Sequence, residues 1–200
     1  MKNKEILIKI LLMLRSNGIN NEKILYSVEK IPPHYYLCLL GYHNSNTQNY
    51  SNELVGLLKI LQYAIKKKKK INNVLIPNFK LGWFLTISSL LAKRIYSICQ
   101  DKKKINDLEK LYSFLKLTNI YIKKSSNFFD WKRVAPFDLI ILFQNYNFIP
   151  NECLNLLDKD GMIFFTRKNK NKVSIIKSNK NNNLEKLDFD DFLPEENKIL

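Results

Sequence analysis

Glycine is scarce in this chain, five in 200 residues, and it is accompanied by only three cysteines, two histidines and two tryptophans. Cys38, Cys99 and Cys153 are odd in number and far apart, with no C-x-x-C spacing. That excludes a disulfide framework and a structural zinc site, and reads as buried, reduced thiols. Long apolar runs are also missing. The longest, Leu81 to Ala92, is interrupted by Gly82, Thr86, Ser88 and Ser89, too short and too polar for a bilayer span. Met1 to Leu14 has no small-x-small cleavage site and keeps Glu5 and Lys9, so it reads as an amphipathic helix and not a secretion signal. A cytoplasmic protein is expected. Acidic residues are outnumbered, 18 against 33 basic, for a net charge of +15. The excess is mostly lysine, among many Asn, Ile, Tyr and Phe, the composition that AT-rich codon usage produces. No arginine-rich helix, RNP-type aromatic motif or zinc-finger spacing accompanies it, so nucleic acid is not the expected partner.

What is present is a large apolar fraction, 46%, in a chain of single-domain length. Ile6, Ile10, Met13 and Leu14 recur at helical spacing over Glu5 to Ser16, and Asn17-Gly18 is a natural stop. A short helix from Asn21 to Lys30 ends before Pro32-Pro33. Gly41 to Ser51 is polar and Asn-rich, a loop. Leu54, Leu57, Leu58, Leu61 and Ile65 share one face of a helix over Asn52 to Lys66. Lys66 to Lys70 reads as a solvated run without function. Strand and helix then alternate: strands at Asn73 to Ile76, Arg94 to Cys99, Asn119 to Lys123, Phe137 to Phe143 and Met162 to Thr166. Between them lie helices at Gly82 to Lys93, Lys103 to Leu117 and Glu152 to Leu157. Such alternation predicts an α/β fold with a mostly parallel sheet and helices on both faces. Val173 to Lys177 follows as an antiparallel hairpin partner, then an Asn-rich loop from Asn179 to Asn183. One domain is expected: an N-terminal helical extension over 1–70, an α/β core over 71–178 and an acidic tail over 179–200.

The local text narrows the class. Residues 14 to 36 read L-R-S-N-G-I-N-N-E-K-I-L-Y-S-V-E-K-I-P-P-H-Y-Y. Residues 134 to 138 read V-A-P-F-D and lead into L-I-I-L, with Trp131 shortly before. Ile149-Pro150, Leu154, Leu157 and Gly161 then follow at fixed spacing. This ordered series, from about Leu11 to Thr166, resembles the protein-L-isoaspartate O-methyltransferases. Gly18, Ile19 and Pro32 match their G-I and V-P-R-x-x-F opening, with Tyr36 in the aromatic place and Pro33 in place of Arg. The later segments resemble their G-W, A-P-F/Y-D and I-P-x-x-L-x-x-Q-L-x-x-G-G text. The resemblance implies a Rossmann-like class I methyltransferase fold using S-adenosylmethionine, and isoaspartyl peptides or unfolded proteins as acceptors. A monomer is expected.

Against that family the cofactor segments are eroded. The family turn V-L-E-I-G-x-G-x-G-Y needs glycine where backbone approaches ligand. Here Val74 and Leu75 match, Ile76 and Pro77 replace Glu and Ile, and Asn78 and Lys80 stand at the first two glycines. Gly82 remains, followed by Trp83 in the Tyr place. A lysine at a close-approach glycine crowds the turn and adds positive charge near a sulfonium. The acidic residue that closes the second strand in the family corresponds to Cys99-Gln100, and the family's G-D-G to Ser125-Ser126-Asn127. The resemblance therefore assigns cofactor contacts to Asn78, Lys80, Gly82, Trp83, Cys99, Gln100 and Ser126. Ser51, in a stretch similar to the family's T-x-S-x-P, is the acceptor-side candidate; N-capping of the following helix is its plainer role. His34 and His43 read as loop residues. Two outcomes stand open: a repair methyltransferase, or a methyltransferase-fold scaffold that has lost its cofactor.

Overall fold

The computed structural model describes residues 2–33, 51–77, 82–169 and 172–187. Cys38, His34, His43, Asn78, Lys80 and most of the Gly41 to Ser51 segment lie outside them. The N-terminal extension is helical, as its periodicity predicts. Helix α1 (Lys2–Ser16) stops where Gly18 turns at φ +85°, a conformation that suits glycine. Helix α2 (Glu22–Lys30) starts on Asn21, whose side chain accepts from the Lys23 and Ile24 amides. Helix α3 (Ser51–Lys67) buries Leu54, Leu57, Leu58 and Leu61. It also holds the turn ahead of α2 through one side chain. Gln62 Oε1 accepts from the Asn20 and Asn21 amides at 2.9 and 3.0 Å, and its Nε2 donates to Gly18 O at 2.8 Å.

The core strands follow: β1 (Asn73–Leu75), β2 (Arg94–Cys99), β3 (Ile120–Lys124), β4 (Phe137–Asn145), β5 (Leu157–Asn169), β6 (Lys172–Ser178) and β7 (Leu184–Leu187). They form one sheet in the order β3-β2-β1-β4-β5-β6-β7. Pairing is parallel from β3 across to β5 and antiparallel from β5 through β7. Helices α4 (Gly82–Ser89), α5 (Lys102–Phe114) and α6 (Asn151–Leu156) connect the strands, and a 3-10 turn over Phe128–Val134 precedes β4. Both faces of the central strands are apolar, as parallel strands under helices must be. Val74, Ile95, Leu139 and Phe164 pack with the first five helices. Leu75, Tyr96, Ile140 and Phe165 pack toward α6 and the 3-10 turn.

Two features differ from the sequence reading. The segment expected to be an acidic tail contributes β7, which pairs with β6 from Ile175↔Leu187 to Ser178↔Leu184. And the lysine run is not wholly solvated. Lys68 forms an ion pair with Asp138 of the A-P-F-D segment, both side chains largely shielded, at 18% and 13% exposure. Asp138 also accepts from the amides of Asn72 and Asn73, at 2.7 and 3.0 Å, where the chain enters β1. Burial pushes the Asp138 carboxyl up, but Lys68 and these two amides outweigh it and hold it below its usual value.

Two predictions arise. A Cβ at Gly161 would lie 2.7 Å from the Leu157 side chain and 2.9 Å from the Phe137 carbonyl, which is backbone and cannot move aside. Gly161→Ala is expected to lower unfolding free energy by roughly 1–3 kcal/mol; an unchanged denaturant midpoint would show that the β4–β5 crossing is looser than described. Because the folded-state pKa of Asp138 is depressed, its stabilisation is present above the unfolded value of about 3.9 and is lost as pH falls through the folded one. Asp138→Asn should therefore destabilise the protein at neutral pH by roughly 2–3 kcal/mol and flatten stability below about pH 4. Parallel acid-melting curves for variant and parent would contradict this.

Candidate functional site

In an open parallel sheet, ligands bind at the carboxyl ends of the strands where the strand order reverses. Here the reversal lies at β1, with β2 on one side and β4 on the other. The register shows which residues meet there. Leu75 pairs with Tyr96 on one side and Ile140 on the other, and Cys99 pairs with Lys124. The turns leaving β1, β2 and β3 thus open on the same edge. They carry the segments in which the cofactor residues were expected.

The turn after β2 begins at Cys99, which is buried and donates its thiol to Asp101 O at 3.4 Å. Burial pushes this thiol up, so it stays protonated and is a packing group, not a nucleophile. Gln100 follows, exposed at the edge. The nearby carboxylate of Asp101 is engaged elsewhere: it caps α5, accepting from the Lys103 and Lys104 amides at 2.8 and 3.3 Å. Gln100 is therefore the free polar side chain of this turn.

The turn after β3 is docked on β2 by Ser125 N to Cys99 O at 3.0 Å. The Ser125 hydroxyl is held inside the turn by Asn127 and Asp130. Ser126 is exposed beside it. Trp131 fixes the segment beneath: its indole donates to Ser97 O at 3.0 Å, its ring meets Tyr96 edge-on, and Lys123 lies over it. So Gln100 and Ser126 come to adjacent turns, both exposed. Both are neutral and can donate and accept hydrogen bonds without charge.

The turn after β1 leads into α4 at Gly82, which is buried. Trp83 is 4% exposed and donates its indole N–H to Ile31 O at 2.8 Å. It stands in the family's Tyr place but braces α4 against the C-terminal end of α2, one residue before Pro32. Sequence reasoning assigned it only to the ligand, because nothing in the local text signals a partner 52 residues away. Ser51 is the first residue of α3, one position earlier than the cap reading expects, and its side chain lies outside the described atoms. Among the described residues no group of His, Cys, Asp and Glu is arranged to hold a metal ion. No described helix is long and apolar enough to cross a membrane.

The sheet and its covering helices define a class I, Rossmann-like methyltransferase fold. A protein-L-isoaspartate O-methyltransferase of Plasmodium falciparum, crystallised with S-adenosyl-L-homocysteine, superposes with a TM-score of 0.67 at 15% identity, over 90% of this chain and 93% of that one. A second protein-L-isoaspartate O-methyltransferase structure gives 0.67 at 13% identity, over 86% of this chain and 59% of its own. No family model matches the sequence. Curated relatives nevertheless specify the kinship. The protein-L-isoaspartate O-methyltransferase of Dictyoglomus turgidum is 25% identical over 158 residues, 74% of this chain and 70% of the relative. Those of Dictyoglomus thermophilum and Paramagnetospirillum magneticum are 26% and 24% identical over 78% of this chain, and over 73% and 76% of their own lengths. This chain is thus similar to the protein-L-isoaspartate O-methyltransferases over about three quarters of its length.

The brace gives a direct test. Trp83→Phe keeps the ring but leaves the Ile31 carbonyl buried without its donor, at an expected loss of about 1–3 kcal/mol by denaturant unfolding. A loss equal to that of Trp131→Phe, with no change in the exchange of amides near residue 31, would mean that Trp83 contributes packing only.

Proposed function

We propose that the chain is an S-adenosylmethionine-dependent protein carboxyl O-methyltransferase that esterifies isoaspartyl residues of damaged proteins. The observation that carries this reading is the similarity to these enzymes over about three quarters of the chain. In this reading Gln100 hydrogen-bonds the ribose hydroxyls, Ser126 the adenine edge, and Gly82 opens the helix that faces the donor. Cys99 and Trp83 shape the pocket from behind, and the family text assigns Asn78 and Lys80 to the donor and Ser51 to the acceptor.

Bound S-adenosylmethionine supplies a methyl group on a sulfonium centre; its transfer to a carboxylate leaves a neutral ester and a neutral thioether. An isoaspartyl carboxylate is ionised at neutral pH, so the protein need not remove a proton. Its residues have to bind, align and exclude water. The protonated Cys99 thiol is consistent with that economy. Damaged protein segments are the acceptors in this reading, the chain acts as a monomer, and a cytoplasmic setting fits its reduced cysteines.

Calorimetric titration with S-adenosylmethionine and methyl transfer to an isoaspartyl peptide test the reading together. Binding and transfer are expected. No heat at millimolar cofactor and no transfer would leave the competing reading, a methyltransferase-fold scaffold without cofactor. Because Gln100 bonds without charge, Gln100→Glu is expected to tighten cofactor binding by roughly three- to tenfold. Replacing Lys80 with Gly should add to this gain. An unchanged affinity in Gln100→Glu would remove residue 100 from the ribose site.

A further inference from the structure

Strand β5 does not stop level with β1. Leu75, the last residue of β1, pairs with Ile140 of β4, which pairs in turn with Ile163 of β5, and β5 continues to Asn169. Its upper part stands above the carboxyl edge, beside the site and on the α6 face. Arg167 is there. Its Nη2 donates to Asn147 O at 2.7 Å, in the loop that follows β4, and its guanidinium carbon lies 5.7 Å from the centre of the Phe165 ring. The Nε atom is shielded from solvent and has no hydrogen-bond partner. On the same loop Phe148 is 78% exposed, the most exposed large apolar side chain among the described residues.

A loop brace alone does not account for this arrangement. One bond to Asn147 O leaves most of a guanidinium's fork unmatched. The exposed Phe148 ring sits on the same loop that Arg167 holds, and left in water it gains nothing from folding. A carboxylate meeting the open side of the guanidinium, with an apolar side chain over Phe148, would engage both. Resting on the reading that this edge methylates isoaspartyl chains, we infer that Arg167 and Phe148 bind the acceptor polypeptide through a second carboxylate, distinct from the one esterified. An isoaspartyl residue has one free carboxylate, so the second belongs to a neighbouring acidic side chain. Arg167 stands four residues beyond the level of Leu75 and two strands across, roughly 16 Å at ordinary strand spacings. An extended acceptor covers that distance in about five residues. The site therefore selects damaged segments with an acidic residue about five positions from the isoaspartyl. Arg167 is a specificity-determining residue, with no part in the bond exchange.

The experiment compares two isoaspartyl peptides, one with glutamates about five positions to either side and one with glutamines there, at one ionic strength. The parent protein should methylate the glutamate peptide with a KM roughly five- to tenfold lower and a similar kcat, the size of one charge-assisted contact. The preference should vanish in Arg167→Gln, shrink in Arg167→Lys, and weaken for both peptides in Phe148→Ala. It should persist in Lys110→Gln, a remote exposed position that controls for the general positive charge. Fluorescence polarisation of the same labelled peptides reads binding without catalysis. If neither peptide is methylated, the parent reading fails while polarisation still decides this one. Equal affinities for the two peptides, or a preference that survives in Arg167→Gln, would overturn the inference. Arg167→Lys and Phe148→Ala decide the matter if Arg167→Gln does not fold.

Discussion

The middle one of the five parallel strands is only three residues long, and the architecture depends on what fixes it. Strand β1 is flanked by β2 and β4, and its entry is held by the Asp138 carboxylate, which accepts from the amides of Asn72 and Asn73 while pairing with Lys68. So short a strand has few ladder bonds with which to resist a shift in register. The ion pair and two amides at its amino end supply the missing restraint. They also set the register of β1 against β2 and β4, whose carboxyl ends share one edge. A structural carboxylate at one edge of the sheet thereby positions the functional edge at the other.

The functional edge is braced from the opposite side as well. Trp83 ties the first turn of α4 to Ile31, and Gln62 ties α3 to the turn between α1 and α2. The extension, α4 and α3 are thus connected by polar contacts, the one from Trp83 buried. A methyl transfer that relies on alignment instead of acid–base groups benefits from such rigid connection, since misplacement by an ångström is costly in rate. The upper part of β5 and the loop after β4 then extend the edge sideways and offer a cation and an aromatic ring where an acceptor chain would pass.

Much of the fold was legible in the sequence because period and burial agree. The run R-I-Y-S-I-C gave the bounds of β2, although both its faces are buried and not one alone, and the leucine spacing of α3 matched its buried face. Strand β7 was not legible: in L-E-K-L only Leu187 is buried, so no alternation marks it, and pairing with β6 makes it a strand. The lysine run hid Lys68, because a run of like charges reads as one solvated object while the fold singles out the member that meets Asp138. The A-P-F-D text drew attention to the right carboxylate through resemblance, but its role lies in amides 65 and 66 residues away. At the site, sequence placed Gln100 and Ser126 on the edge where the fold brings them. It could not show that Asp101 is engaged in capping, or that Trp83 faces the extension, since both depend on contacts made only after folding.

The central claim is that the turns after β2 and β3 form one donor site despite their altered residues. Hydrogen–deuterium exchange with and without S-adenosylhomocysteine addresses it most directly. The account predicts slower exchange in peptides covering residues 98–104 and 124–128, with little change in β6 and β7. Unchanged exchange in both turns at saturating ligand, or protection confined to another part of the chain, would contradict it.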